Sequence, residues 1–215
     1  MFGFNSENYA RKPKQDRSRA TVDAIVEAGF IALSQRGPAD TTTRHIAEIA
    51  GVGVGSLYEY FENKQAIFNA MSQRFISDTA AMIKPLTPTL VQMPIDEAIR
   101  TLLNQFRSFL EQDDGRYLKC VRYAMAVDFE LHLDPLYKVL NNVIMRYLME
   151  HPETLRVSRI PAITYIGING GIFAVIRHLS DPDPMVSFDE MADGLASMIG
   201  HYIAAELSLL GDVVR

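Results

Sequence analysis

The sequence predicts an all-α fold of about nine helices. Apolar residues recur at helical spacing along most of the 215 residues, as at Ile99, Leu102 and Phe106. Alternating β-branched runs joined by Asn-Gly or Asp-Gly turns, the usual signal of hairpins, do not occur. Breaks such as Gly37-Pro38 separate one periodic run from the next. These observations together favour packed helices over any sheet architecture.

Each helix is predicted from its apolar face and from the residues that end it. We expect helices over 17–35, two short ones within 42–61, then 63–84, 95–112, 117–131, 135–149, 161–179 and 188–209. Residues 1–16 are expected to form a disordered basic arm, 17–64 a helix-turn-helix domain and 65–215 an effector-binding and dimerisation domain. The helix over 63–84 would connect these two domains.

Composition is that of a globular protein, with 48% hydrophobic and 22% charged residues. The polar N-terminus lacks the apolar segment of a secretory signal, so we expect a cytoplasmic protein with no membrane partner. The long uncharged run between Arg159 and Arg177 contains Asn169 and is interpreted as a buried helix. Cys120 is the chain's one cysteine, which excludes an internal disulfide framework.

The most informative segment is 42–64, which predicts two short helices joined by a tight turn. Thr42 and Thr43 precede an apolar stripe and can cap its helix. Gly51 follows that stripe, where a positive φ angle would let the chain turn sharply. Leu57 and Phe61 are four residues apart and can face inward. This is the pattern of a helix-turn-helix, whose second helix enters the DNA major groove.

The stretch from about residue 17 to residue 75 resembles the DNA-binding region of the TetR family of bacterial transcriptional regulators. The matching residues are Thr-Thr at 42–43, Ile-Ala at 46–47, Ala-Gly-Val at 50–52 and Gly-x-Leu-Tyr-x-Tyr-Phe-x-x-Lys at 55–64. The chain departs from the family pattern at Gly53, where Ser or Thr is usual. Glycine is an acceptable N-cap, but it has no hydroxyl to offer to a phosphate.

The resemblance implies a set of DNA contacts. Thr43 would cap the first helix and contact a phosphate, and Arg44 would reach a base edge or the backbone. The resemblance places the remaining contacts at Val54, Gly55 and Ser56 on the groove side, and at Tyr58, Tyr60 and Lys64 on phosphates. For Tyr60, packing against the next helix is an equal alternative, and His45 is expected to face solvent.

Basic charge collects ahead of this motif, although the whole chain carries a formal charge of −5. Residues 1–19 hold five basic side chains, including Arg17 and Arg19, against two acidic ones. Such an arm can hold phosphates or enter a minor groove. The alternative is a solvated tail with no contact to DNA.

Two C-terminal helices are candidates for a homodimer interface. Gly167 and Gly171 share one helical face, where small residues allow close helix packing. The last helix is too apolar for a single inward face. The predicted interface consists of Gly167, Gly171, Ala174, Leu195, Ile199 and Tyr202. The alternative is that the glycines admit a neighbouring helix, or a ligand, inside one subunit.

A hydrophobic small-molecule effector is expected among the central helices. The candidate pocket residues are Phe106, Phe109, Tyr117, Met125, Phe129, Met145, Tyr165, Asn169 and Phe173. We expect no metal and no cofactor: Asp128 and His132 share a helical face, but Glu130 between them does not. Cys120 is interpreted as inert packing.

The favoured function is a repressor that leaves a palindromic operator when an effector binds. The alternative is a constitutive, architectural DNA-binding protein without an effector. An enzyme is not expected, because the sequence lacks a nucleotide-binding glycine loop, Gly-x-Ser-x-Gly and His-Glu-x-x-His.

Overall fold

The computed structural model describes residues 16–123 and 133–212, and these residues form helices and turns without a strand. The α-helices are α1 (Asp16–Asp40), α2 (Thr43–Ala50), α3 (Val54–Tyr58), α4 (Lys64–Ile83), α5 (Thr87–Leu90), α6 (Ile95–Arg122), α7 (Asp134–Glu150), α8 (Ile160–Ser180) and α9 (Phe188–Asp212). Short 3-10 helices cover Lys84–Leu86 and Pro152–Arg156. The all-α prediction is therefore confirmed.

Two helices are interrupted where the sequence predicts a break. α1 turns at Gly37, which has a φ of 72°. α6 is broken at 112–115, where Asp113, Asp114 and Gly115 all have positive φ angles. Glycine adopts this left-handed conformation readily, whereas the two aspartates adopt it at some cost. The helix predicted over 117–131 is thus the second half of α6, and its part beyond residue 123 lies outside the described residues.

Among the described residues, the chain divides into two compact units. The helix-turn-helix unit comprises 16–76 and 111–123, and the C-terminal unit comprises 77–110 and 133–212. α4 and α6 each contribute residues to both units. The predicted boundary at residue 64 instead assigns all residues after 64, including 65–76 and 111–123, to the C-terminal domain. Whether residues 17–64 fold independently stays a prediction.

The helix-turn-helix unit has a closed apolar core. The apolar residues that recur at helical spacing along α1 are at most 2% exposed: Val22, Ile25, Val26, Phe30 and Leu33. The ring of Tyr117 packs against Phe30 and Phe75, with centroid separations of 5.1 and 5.2 Å. Ion pairs join Arg116 to Glu27 and Arg74 to Asp23 at the edge of this core. Segment 111–123 is thereby held on α1 and α4.

The C-terminal unit joins α6 to α9 through charge and apolar contacts. Arg100 Nε lies 2.5 Å from Asp193 Oδ1, and Arg107 Nη1 lies 2.8 Å from Asp189 Oδ1. Beneath these ion pairs is a buried apolar cluster of Val175, Phe188 and Ala192, with Leu103, Phe106, Leu179 and Met191 packed against it.

The α8 helix departs from the expectation of a buried helix. Within the described residues, it alone is long and apolar enough to cross a membrane by length and composition, with a mean hydropathy of 1.4. Only 11% of that window is buried, and its fully buried residues are Gly171 and Val175. A single apolar helix of this kind is weak support for a membrane span. One chain alone does not cover this helix, which is why the prediction of burial was wrong.

Candidate nucleic-acid interface

The first helix of the motif is capped by Thr42. Its backbone is extended, with φ −118° and ψ 154°, and its hydroxyl accepts a hydrogen bond from the His45 N–H at 3.2 Å. Thr43 was expected to provide this cap. It is instead the first helical residue, because the extended conformation that a cap requires lies one position earlier. The Thr43 hydroxyl is therefore released for other contacts.

The turn between the helices has the predicted left-handed glycine. Gly51 has φ 67° and ψ 28°, and its N–H donates to the Glu48 carbonyl at 3.3 Å. The N–H of Val52 donates to the Ala47 carbonyl at 3.0 Å. These two bonds satisfy carbonyls that the end of α2 leaves free. They fix the direction in which the chain leaves α2 and enters α3.

The α3 helix buries one side and exposes the other, as its sequence predicts. Leu57 and the following Phe61 have no exposed surface, whereas Val54 is 38% and Tyr58 46% exposed. Gly55 and Ser56 are also exposed. Gly53 caps the helix without any side-chain hydrogen bond. The buried pair anchors α3, and its exposed side is available to a groove of DNA.

A hydrogen bond joins the two helices on their exposed side. The hydroxyl oxygens of Thr43 and Tyr58 are 3.0 Å apart, and either can donate. The first turn of α2 and the last residue of α3 thus present two neighbouring hydroxyls. Hydroxyl groups of this kind commonly contact DNA phosphates.

Two neighbouring side chains on α2 have different exposures. The Arg44 side chain is 81% exposed, and its Nε donates to Glu48 Oε1 at 3.2 Å. The His45 side chain is only 13% exposed, with Nδ1 3.8 Å from Glu48 Oε2. The expectation that His45 faces solvent is therefore wrong, since position 45 flanks the buried Ile46. Arg44 is well placed for a base or phosphate, and His45 is not.

The remaining predicted DNA contacts, Lys64, Tyr60, Arg19 and Arg17, differ in their exposure and in the partners they already have. Lys64 Nζ donates to the Pro38 carbonyl at 3.0 Å and lies 5.6 Å from the centre of the Phe68 ring. It therefore joins the start of α4 to the end of α1, and a phosphate contact would be an additional role. Tyr60 is half-buried and Arg19 is exposed. The side chain of Arg17 lies outside the described residues, as does the rest of the basic arm.

The predicted effector residues are divided between the two units. Tyr117 belongs to the core of the helix-turn-helix unit. Met145, Tyr165 and Phe173 are 57%, 72% and 61% exposed, so they lie on the surface of the chain. These three side chains were predicted to line a pocket because they are large and apolar, but in the structure they belong to an exposed apolar surface. Met125 and Phe129 lie outside the described residues.

Three other predicted pocket residues of the C-terminal unit are half-buried. The rings of Phe106 and Phe109 stack with centroids 6.5 Å apart. The Asn169 Oδ1 accepts a hydrogen bond from the Tyr137 hydroxyl at 2.6 Å, which joins α7 to α8. The Oδ1 of Asn104 on α6 is buried without a hydrogen-bond partner. Sequence reasoning missed Asn104 because an amide within an apolar run gives no periodic signal.

The glycines of α8 face both ways. A Cβ on Gly167 would lie 3.3 Å from Ile199 Cδ1, and one on Gly171 would lie 3.3 Å from Leu195 Cδ2 of the same chain. This is the alternative in which the glycines admit a neighbouring helix inside the subunit. A Cβ on Gly170, or on Gly194 of α9, would meet nothing within 4 Å. The open glycine positions are therefore 170 and 194, not 167 and 171.

The structure bears on two further chemical roles, a reactive thiol at Cys120 and a metal site. Burial raises the pKa of the Cys120 thiol to about 12, and the thiolate is the reactive form. Within 16–123 and 133–212, no group of three or more His, Cys, Asp or Glu side chains could hold a metal ion. Asp128 and His132 lie outside those ranges.

Comparisons with known proteins agree with this geometry. Residues 25–71 match the model of the family described as "Bacterial regulatory proteins, tetR family". The transcriptional repressor DhaR of Mycobacterium sp. strain GP1 is 28% identical over 122 residues, which cover 57% of each chain. The chain thus spans somewhat over half the length of this curated relative.

Solved structures share the fold at low sequence identity. SmeT, the repressor of the Stenotrophomonas maltophilia multidrug efflux pump SmeDEF, superposes with a TM-score of 0.59 at 15% identity, covering 84% of this chain and 90% of SmeT. FadR of Thermus thermophilus, solved with lauroyl-CoA, gives a TM-score of 0.55 at 15% identity, covering 83% and 92%. At these identities the likeness concerns the fold alone.

Proposed function

We propose that the chain is a TetR-family regulator, a homodimeric repressor that an effector releases from a palindromic operator. Residues 25–71 match the model of that family. The observation that carries this proposal is the exposed side of α3, anchored by the buried Leu57 and Phe61 and bearing Val54 and Tyr58. A rigid helix held in this way is what a major groove accepts. We place the protein in the cytoplasm and assign it no catalytic role.

The proposed DNA contacts divide into two kinds. Thr43, Tyr58 and Tyr60 would position the protein on phosphates, together with the basic arm and Lys64. Arg44 would contribute specificity, since a guanidinium can pair with both O6 and N7 of guanine. The Arg44 side chain is 81% exposed and forms an ion pair with Glu48 on the same helix. Both kinds of contact are needed, because phosphate contacts alone carry no sequence information.

Dimerisation is supported by the uncovered apolar side of α8 and α9. Four of its large side chains are more than 60% exposed: Tyr165, Ile166, Phe173 and Met198. The open positions Gly170 and Gly194 lie on the same two helices. A second copy meeting this face by two-fold symmetry would bury it, with four helices at the interface. Two copies would then present two α3 helices to two half-sites.

Effector release would act through the helices shared by the two units. α4 and α6 each run from the C-terminal unit into the helix-turn-helix unit. A ligand with different affinities for two arrangements of these helices would change DNA affinity. The stacked rings of Phe106 and Phe109 favour an apolar molecule as the effector. Lauroyl-CoA, seen with the FadR fold relative, is a reasonable first probe.

Selection of bound DNA from a random pool tests the proposal. We expect two related half-sites about one helical turn or more apart. Small molecules, beginning with acyl-CoA thioesters, are then tested for release of the selected DNA. Uniform binding to unrelated sequences would overturn sequence-specific repression. Specific binding that no ligand releases would favour the constitutive architectural protein.

Arg44→Ala sharpens the assignment of the contacts. We expect a loss of roughly 1–3 kcal/mol in binding and a relaxed preference at one base position. Lys64→Ala should instead weaken binding to every sequence and lower the salt dependence by about one unit. Lys64→Ala also removes the bond to the Pro38 carbonyl, so its thermal stability is measured in parallel. If both variants lose affinity without regard to sequence, Arg44 is a phosphate contact.

A further inference from the structure

The exposed charges of residues 41–64 are mostly negative. This segment has three exposed carboxylates and one exposed cation, which are Glu48, Glu59, Glu62 and Arg44. Lys64 is half-buried and donates to the Pro38 carbonyl. Because DNA is a polyanion, each exposed carboxylate near its phosphates lowers the affinity for DNA. Of the three carboxylates, Glu48 is the one that forms an ion pair with the exposed cation.

The two oxygens of the Glu48 carboxylate face different neighbours. Oε1 accepts the hydrogen bond from Arg44 Nε at 3.2 Å, and Oε2 lies 3.8 Å from His45 Nδ1. The His45 side chain is largely buried in the unit, whereas the Arg44 side chain is largely exposed. The carboxylate therefore lies between a packed ring and an exposed guanidinium. Since an exposed ion pair at this spacing adds little to helix stability, its main effect is on where the guanidinium is held.

We infer that Glu48 is a positioning residue for base recognition, which holds Arg44 through Nε and directs its two Nη groups toward a guanine. A guanidinium carries five N–H donors in one rigid plane, so a bond at Nε orients the other four. Ordering an unrestrained arginine side chain on DNA costs binding free energy, and the bond to Glu48 reduces that cost. This inference rests on the proposed function, since it concerns the base contact assigned to Arg44.

Glu48→Ala and Glu48→Gln separate the orientation of Arg44 from the charge at position 48. Both variants remove the negative charge, so both should bind non-specific DNA several-fold more tightly at low salt. Glutamine keeps an oxygen that can accept from Arg44 Nε, whereas alanine has none. The preference for guanine, expected to be roughly 5- to 150-fold in the wild type, should persist in Glu48→Gln. In Glu48→Ala it should fall several-fold.

Fluorescence anisotropy measures this preference. Binding is compared between the selected operator and operators in which the guanine at the Arg44-dependent position is replaced, at several salt concentrations. Melting temperatures of both variants should stay near that of the wild type, because the Glu48 side chain is exposed.

Glu62→Ala is the matched control for charge. It removes an exposed carboxylate from the turn before α4 and leaves the pair of Arg44 and Glu48 intact. Its effect should be the same for every DNA sequence, with the guanine preference unchanged. A cycle with Arg44→Ala then links the preference to the guanidinium. In that background, Glu48→Ala should no longer alter specificity, because the group that it orients is absent.

The guanine preference decides whether Glu48 positions Arg44. If Glu48→Ala keeps the wild-type preference, or alters specificity in the Arg44→Ala background as well, the inference is overturned although the operator is still bound. An equal loss of preference in Glu48→Gln and Glu48→Ala would also overturn it, since charge and not the bond would be the cause. So would an Arg44→Ala protein with unchanged specificity. If no operator is selected at all, the proposed function itself fails, so the two failures are distinguishable.

Discussion

The two compact units differ in how they bury their apolar residues. In the helix-turn-helix unit, the inner faces of α1 to α4 are covered within the chain, and the exposed large hydrophobic side chains among its described residues are Val54 and Tyr58. In the C-terminal unit, α8 is largely uncovered. One unit therefore has its core within a single chain, whereas the other presents apolar surface suited to a partner. Stability should depend on protein concentration in the second unit and not in the first.

The largest effect is expected from a cavity in the helix-turn-helix unit. Phe61 has no exposed surface, and Phe61→Ala should cost about 3–5 kcal/mol of unfolding free energy. Because Phe61 helps to anchor α3, operator binding should be lost as well. Urea denaturation at several protein concentrations measures this cost, which should not vary with concentration.

Phe173→Ala is the matched control, since it removes the same ring from a position that is 61% exposed. Its effect should appear as weaker self-association, with a stability loss that depends on protein concentration. A large loss for Phe173→Ala that is independent of concentration would contradict the comparison, since it would place the ring in a core of the single chain.

The next effect separates the two sides of α8. Gly171→Leu should cost about 1–3 kcal/mol of folding free energy at any protein concentration, because a Cβ there already lies 3.3 Å from Leu195 Cδ2. Gly170→Leu places the same side chain in open space and should weaken the dimer instead. Sedimentation across a concentration range distinguishes them. A Gly170→Leu protein that dimerises like the wild type would exclude this face from the interface.

These residues show where sequence reasoning is sufficient. The turns at Gly37 and Gly51 were predictable because glycine has no Cβ and adopts a positive φ at little cost. The inward side of α3 was also predictable, since Leu57 and Phe61 define one stripe. The direction of Gly167 and Gly171 was not, because α8 is apolar on all sides and its periodicity cannot say which helix covers it. His45 was misjudged for the related reason that it borders a buried stripe.

One local signal was present in the sequence but not used. Ser187 and Glu190 form a capping box at the start of α9: the Ser187 N–H and hydroxyl donate to Glu190 Oε2 at 2.8 and 2.7 Å. The Glu190 N–H donates back to the Ser187 hydroxyl at 3.2 Å. Serine followed three residues later by glutamate is the pattern that predicts this arrangement.

A smaller effect is expected when this cap is removed from the C-terminal unit. Ser187→Ala should cost about 1 kcal/mol of folding free energy. The bonds from the Ser187 N–H and hydroxyl lower the pKa of the Glu190 carboxyl. The associated stability is therefore present above the ordinary glutamate pKa and is lost as the pH falls through the lowered value. Ser187→Ala keeps the N–H bond to Glu190 and removes only the hydroxyl bond, so thermal melts from pH 7 to pH 3 should show a slightly shallower decline for the variant. A variant as stable as the wild type at pH 7 would contradict the cap.

The smallest effect is expected at Cys120, in the closed core of the helix-turn-helix unit. Burial raises the pKa of its thiol from 9.0 to about 12. The neutral thiol is thus the stable form, so its contribution to stability is complete below pH 9.0 and is lost as the pH rises toward about 12. Iodoacetamide at pH 8 should leave the native protein unlabelled, as judged by mass spectrometry, and operator binding should be unchanged. Labelling should become rapid in urea, which serves as the control for reagent and access.

Met185, 99% exposed in the C-terminal unit, should meanwhile be oxidised by mild peroxide in the native state. If the native thiol were alkylated as fast as the unfolded one, the core around Tyr117 would open readily, and the contrast between a closed and an uncovered unit would not hold.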